Sequence, residues 1–105
     1  MIREKKVNNK PLLEKEVQKK IVKYLKDNDF LMYVTTGGFY GNNGVSDILA
    51  WKKGKAYAFE VKRKPGMKAT PIQASWIKDA LRHGVIAKCV GSVDEVETVI
   101  KYYNN

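Results

Sequence analysis

Apolar positions change their period along this chain, and each change marks an element. Leu13, Val17, Ile21, Tyr24 and Leu25 recur at helical spacing and predict an amphipathic helix from about Leu12 to Asp27. Asp27-Asn28-Asp29 ends it. Phe30 to Val34 is aromatic and β-branched and reads as a strand. The next ten residues, TTGGFYGNNG, hold four glycines and two asparagines and predict a loop. Asp47 to Trp51 and Ala56 to Val61 are two further strands, joined by Lys52-Lys53-Gly54-Lys55 as a tight hairpin turn. A basic loop with Pro65-Gly66 follows. Thr70-Pro71 then supplies an N-cap and a first helical turn. The stripe of this second helix is Ile72, Trp76, Ile77, Ala80 and Leu81, and Gly84 stops it. Val85 to Val90 is a fourth strand. Ser92, with Glu95 three residues on, forms a capping box for a last helix running to about Tyr102. The predicted order is α-β-β-β-α-β-α, an α/β fold.

A chain of 105 residues supports one core. Residues 1–11 read as a basic N-terminal arm and 12–105 as the domain. Hydrophobic residues at 44% and charged residues at 30% exclude a collagen-like or wholly disordered chain. Charge sharpens the picture. Twenty Lys and Arg against 11 Asp and Glu give a net charge of +9. A field that positive points to a polyanionic partner, nucleic acid first and an anionic membrane surface second. Nothing approaches the ~18 apolar residues of a membrane span, and the first ten residues lack the apolar stretch of a signal peptide. The lone Cys89 excludes an intramolecular disulfide, so the expected setting is reducing and cytoplasmic. A zinc site needs more Cys or His than this chain holds. Its single histidine, His83, reads as a cap at a helix end, and Cys89 reads as core.

The hairpin carries the candidate chemistry. With Lys53 and Gly54 as a two-residue loop, Lys52 pairs with Lys55 and Asp47 falls directly opposite Glu60. Opposed residues share a face with Cβ atoms ~5 Å apart. Lys62, two residues past Glu60, points to the same face. Two opposed carboxylates repel in a bare sheet, and such a local violation marks a functional site. A divalent cation converts the repulsion into coordination, and Mg²⁺ takes one or two protein carboxylates while keeping several waters. A three-residue loop would instead set Asp47 opposite Phe59 and abolish the arrangement.

Gly44-Val45-Ser46-Asp47, twelve residues, then Glu60-Val61-Lys62 resembles the PD-(D/E)XK nuclease signature. Leu13-Glu14-Lys15-Glu16-Val17-Gln18 precedes it on a helix. Pro71-Ile72-Gln73 follows it, and Gly84, the apolar strand and Ser92-Val93-Asp94-Glu95-Val96 come in order. Together these resemble the VRR-NUC (virus-type replication-repair nuclease) family in its short stand-alone phage and bacterial form, over residues 12 to 100. The resemblance implies a restriction-endonuclease-like core with a mixed central sheet flanked by helices. It implies metal-binding roles for Glu14, Asp47, Glu60 and the Val61 carbonyl, and a catalytic role for Lys62. Gln73 would contact metal-bound water or Lys62, and Gln18 lies one turn beyond Glu14 on the same helix face. Glu16 is a rival for the role of Glu14. The family usually has proline where this chain has Ser46.

The expected activity is Mg²⁺- or Mn²⁺-dependent hydrolysis of phosphodiester bonds, leaving 5′-phosphate and 3′-hydroxyl ends. Lys52, Lys53 and Lys55, with Arg63, Lys64 and Lys68, are expected to flank the site and hold phosphates. Tyr40, Asn42 and Asn43 precede Asp47 and are candidates for contact with a DNA backbone. Stand-alone members resemble junction-resolving enzymes and are homodimers, so a structure-selective DNA endonuclease for four-way (Holliday) junctions or related branches is implied. An archaeal-type junction resolvase and another phage nuclease share this chemistry. A catalytically inactive nucleic-acid-binding module is the alternative from a different class.

Overall fold

A computed structural model describes residues 13–35 and 44–104. The N-terminal arm and the candidates Tyr40, Asn42 and Asn43 lie outside the described residues. The order is α1 (Glu14–Asp27), β1 (Leu31–Val34), β2 (Ile48–Lys52), β3 (Lys55–Val61), α2 (Pro71–Arg82), β4 (Ile86–Val90) and α3 (Val93–Tyr103). This is the α-β-β-β-α-β-α order expected from the sequence. The sheet runs β1-β2-β3-β4, antiparallel across the first two pairings and parallel between β3 and β4. It is therefore a mixed sheet flanked by helices.

The hairpin turns as its residues require. Lys53 and Gly54 take positive φ values of 48° and 84°, the combination a type I′ turn needs. Lys52 pairs with Lys55, and the register continues to Ile48 opposite Phe59. The next position along brings Asp47 opposite Glu60.

Alternation along the strands divides the core in two. Ile48, Ala50, Tyr57, Phe59 and Val61 face α1 and α3, where Val17, Ile21, Leu25, Val96 and Ile100 close over them. The other face is built of small residues. Ala58 and Ala87 meet Ala80 of α2, with Leu49, Trp76, Ile77 and Val85 packed around them. Small side chains let a helix approach the sheet closely.

The stripe expected on α2 is only partly buried. Ala80 is buried and Trp76 and Ile77 are half-buried, but Ile72 and Leu81 are exposed. The cause is the position of α2, which packs chiefly on β4 and β3. Leu13 is exposed as the N-cap residue of α1. His83 is the C-cap of α2, its Nδ1–H donating to the Asp79 carbonyl at 2.8 Å.

Candidate active site

Glu60 is the most unusual side chain in the fold. It lies on the central strand β3, 3% exposed, and its Oε1 has no hydrogen-bond partner. Burial pushes its carboxyl up to about 8. The nearby Asp47 carboxyl adds to the rise, Lys62 opposes it, and Glu14 contributes a smaller upward push. A buried carboxylate with an unsatisfied oxygen costs free energy in any fold that has no use for it.

Asp47 is held from two sides. Its Oδ2 accepts from the Val61 N–H at 2.8 Å, which pins the carboxylate across the hairpin beside Glu60. Its carbonyl accepts from the Thr35 N–H at 2.9 Å. The Thr35 hydroxyl donates to the Ser46 carbonyl (3.0 Å) and approaches that of Asp47 (3.3 Å). Thr35 thus immobilises the backbone ahead of the acid, as a proline ring would do at position 46 by fixing φ. Ser46 itself is fully buried with an unpartnered Oγ. Ser46→Ala is expected to leave the melting temperature unchanged or raised by a few degrees, because it removes an unsatisfied buried hydroxyl. A drop beyond about 5 °C in a thermal melt would assign that hydroxyl a partner.

Lys62 is buried immediately after β3, with its N–H on the Val90 carbonyl at 2.8 Å. Its Nζ donates to Gln73 Oε1 at 2.9 Å. The same oxygen accepts from the Thr70 N–H at 2.9 Å, while the Gln73 N–H donates to the Thr70 hydroxyl at 3.3 Å. The capping box of α2 therefore orients the lysine, a role for Thr70 that its own sequence context announces only as a cap.

The expected site residues separate into groups. Asp47, Glu60, Val61, Lys62 and Gln73 come together at one end of the sheet. Arg63, Lys64 and Lys68 follow directly on an exposed loop. Glu14 is exposed at the start of α1, with its charge reaching Glu60, and Gln18 is half-buried one turn on. Its rival Glu16 is engaged in capping, accepting from the Leu13 N–H at 2.8 Å. Among the described residues, no group of three or more His, Cys, Asp or Glu side chains gathers to hold a metal ion. The donor set is thus two carboxylates, with Glu14 outside hand-in-hand contact. That set fits Mg²⁺ or Mn²⁺, hard ions that keep several waters, and Glu60 Oε1 is the free oxygen a cation would satisfy.

Lys52, Lys53 and Lys55 do not flank this cluster. They occupy the hairpin tip, ~17 Å along the strand from Asp47. With Phe30, Tyr57 and Asn104 they line a depression of about 430 Å³. Lys52 donates to the Asn28 carbonyl at 2.6 Å and lies 5.1 Å from the centre of the Phe30 ring. Cys89 pairs with Glu60 across β3 and β4, and burial pushes its thiol up, which makes it a poor nucleophile.

Solved structures share this fold. One solved structure described as a VRR_NUC domain is 25% identical, with a TM-score of 0.73 over 86% of this chain and 96% of that one. The chain has the VRR_NUC fold. A second structure, described as a VRR_NUC domain protein, is 22% identical with a TM-score of 0.73, covering 90% of this chain and 89% of that one. No protein-family model and no curated protein matches the sequence. Among the described residues, no helix of this VRR_NUC fold is long and apolar enough to cross a membrane.

Proposed function

We propose that the chain is a metal-dependent DNA endonuclease that nicks branched DNA, four-way junctions in particular, as a homodimer. The observation that carries the reading is the buried Glu60 with its Oε1 unsatisfied, beside the half-buried Asp47 and a lysine already aligned by Gln73. Asp47, Glu60 and the Val61 carbonyl would hold Mg²⁺ or Mn²⁺, with Glu14 acting through water. A bound ion supplies Lewis-acid polarisation of the scissile phosphate and acidifies water at neutral pH. The protein's own groups do the rest. Gln73 Oε1 accepts a hydrogen bond from one N–H of Lys62 and leaves two to donate to the attacking water or to the phosphate as negative charge grows. Burial of Lys62 strengthens that interaction. Arg63, Lys64 and Lys68 would grip phosphates beside the reacting one, giving affinity without sequence preference, and Gln18 would add a polar contact from α1. A single small site cuts one strand, so paired cuts on a symmetric junction call for two copies about a two-fold axis.

The test compares the wild type with Asp47→Asn on a labelled four-way junction, a flap and a linear duplex, each with Mg²⁺, Mn²⁺ or EDTA. Metal-dependent nicking of the branched substrates is expected from the wild type and none from the variant, with junction binding retained by both. Tight binding without cleavage under any metal would leave a basic nucleic-acid-binding domain in place of an enzyme.

A further inference from the structure

Among the described residues, the face of the sheet that bears the acid pair continues past the half-buried Leu49 into an exposed apolar surface formed by Leu31, Tyr33 and Trp51. Leu31 pairs with Trp51 and Tyr33 with Leu49 across β1 and β2, and Leu49 pairs with Ala58 across β2 and β3. Directly opposed residues share a face. These four side chains therefore lie on the face that carries Asp47 and Glu60. Helix α2 packs on β3 and β4, and β1 and β2 extend beyond it. Leu31 is 70% exposed, Tyr33 59% and Trp51 39%. From the row of Asp47, the Tyr33–Leu49 row lies ~7 Å away and the Leu31–Trp51 row ~14 Å away.

Resting on the nuclease reading, we infer that Tyr33, with Trp51 beyond it, is a stacking platform for unpaired nucleobases next to the cleavage site. The charge distribution selects this occupant. The chain's excess of +9 draws a polyanion, yet the four side chains of this face carry no charge. A duplex laid here would set phosphates on apolar groups while its base faces stay stacked inside. An unpaired strand instead offers base faces to Tyr33 and Trp51 while its phosphates reach Arg63 and Lys64 beyond the acid pair. A second copy of the chain is the other occupant to consider. Four side chains supply only part of the ~800 Å² per partner that a stable interface takes. The platform thus gives the enzyme a substrate class, DNA with unpaired bases at or beside the branch, and accounts for an aromatic surface that the cleavage chemistry does not use.

Fluorescence anisotropy in EDTA tests this without any turnover, using a labelled oligothymidylate and a blunt duplex of equal length. Tyr33→Ala is expected to bind the single strand about 5- to 150-fold more weakly, the range for loss of one base–aromatic stack, with duplex affinity unchanged. Tyr33→Phe retains the ring and is expected to match the wild type. Tyr33 is exposed, so the fold does not depend on it. Equal loss on both DNAs, or no loss on the single strand, overturns the platform while leaving the nuclease reading standing. A wild type that binds neither DNA overturns both. A halved mass of Tyr33→Ala by light scattering overturns the platform in favour of an interface between copies.

Discussion

Replacing Glu60 with glutamine is expected to abolish cleavage and, in the absence of metal, to make the protein more stable at pH 8. Both effects follow from one carboxyl. Glu60 is raised to about 8 in the fold, first by burial and then by Asp47, against an ordinary value near 4.3 in the unfolded chain. A group that binds its proton more tightly when folded contributes stability that is complete below its unfolded pKa. That stability falls as pH rises and is gone above the folded pKa. For Glu60 the window runs from about pH 4.5 to about pH 8, and the cost accumulated across it is on the order of 3–5 kcal/mol. Glutamine carries no charge at any pH and keeps the shape. In EDTA, the melting temperature of Glu60→Gln should exceed that of the wild type by several degrees or more at pH 8, and the gap should close as the pH falls to about 4. Millimolar Mg²⁺ should stabilise the wild type and not the variant, since an ion that binds only the folded state shifts unfolding by mass action. Equal melting temperatures at pH 8 would mean that the Glu60 carboxyl is not under strain in the fold. Burying a carboxyl beside a second one at a cost to the fold is what the nuclease reading expects of its site.

The second large effect is mechanical. Gly91 is buried at the turn between β4 and α3. A Cβ placed on it would come 2.1 Å from the Lys64 carbonyl carbon, 2.2 Å from its oxygen and 2.3 Å from the Pro65 nitrogen. These are backbone atoms, which cannot swing aside as a long side chain can. The Gly91 N–H is also engaged, donating to Glu95 Oε1 at 2.6 Å as part of the opening of α3. Gly91→Ala must therefore push the basic loop off the end of β4 or tilt the start of α3. A loss of about 3 kcal/mol or more is expected, at the upper end of overpacking costs. Because Lys64 follows Lys62 by two residues, the displacement reaches the lysine as well. Urea unfolding should show a lowered midpoint, and any folded protein that remains should cleave poorly. An unfolding free energy within about 0.5 kcal/mol of the wild type would show that the loop moves freely over β4.

Local chemistry made much of this legible in the sequence. The register that sets Asp47 opposite Glu60 depends on a two-residue turn, and Lys53-Gly54 has the composition for it. Gln73 stood out as a polar residue inside an apolar stripe, and the structure gives it Lys62 as a partner. Long-range relations were not legible. A helical stripe tells which face of α2 is apolar, not how wide a sheet lies beneath it, so Ile72 and Leu81 were expected to be buried and are not. The hairpin lysines are near Asp47 in sequence, but two extended strands carry them to the far end of the sheet. Thr35 acts on Ser46 and Asp47 across a pairing of β1 with β2 that no local pattern encodes. A threonine at a strand end is a signal only once that register is known.

One oxygen ties two processes together. Gln73 Oε1 receives both the Lys62 ammonium and the Thr70 N–H that opens α2. Helix ends fray at a small fraction of the cost of global unfolding. A fraying of that first turn would release the lysine, so the Lys62–Gln73 contact is expected to be lost on heating before the sheet comes apart.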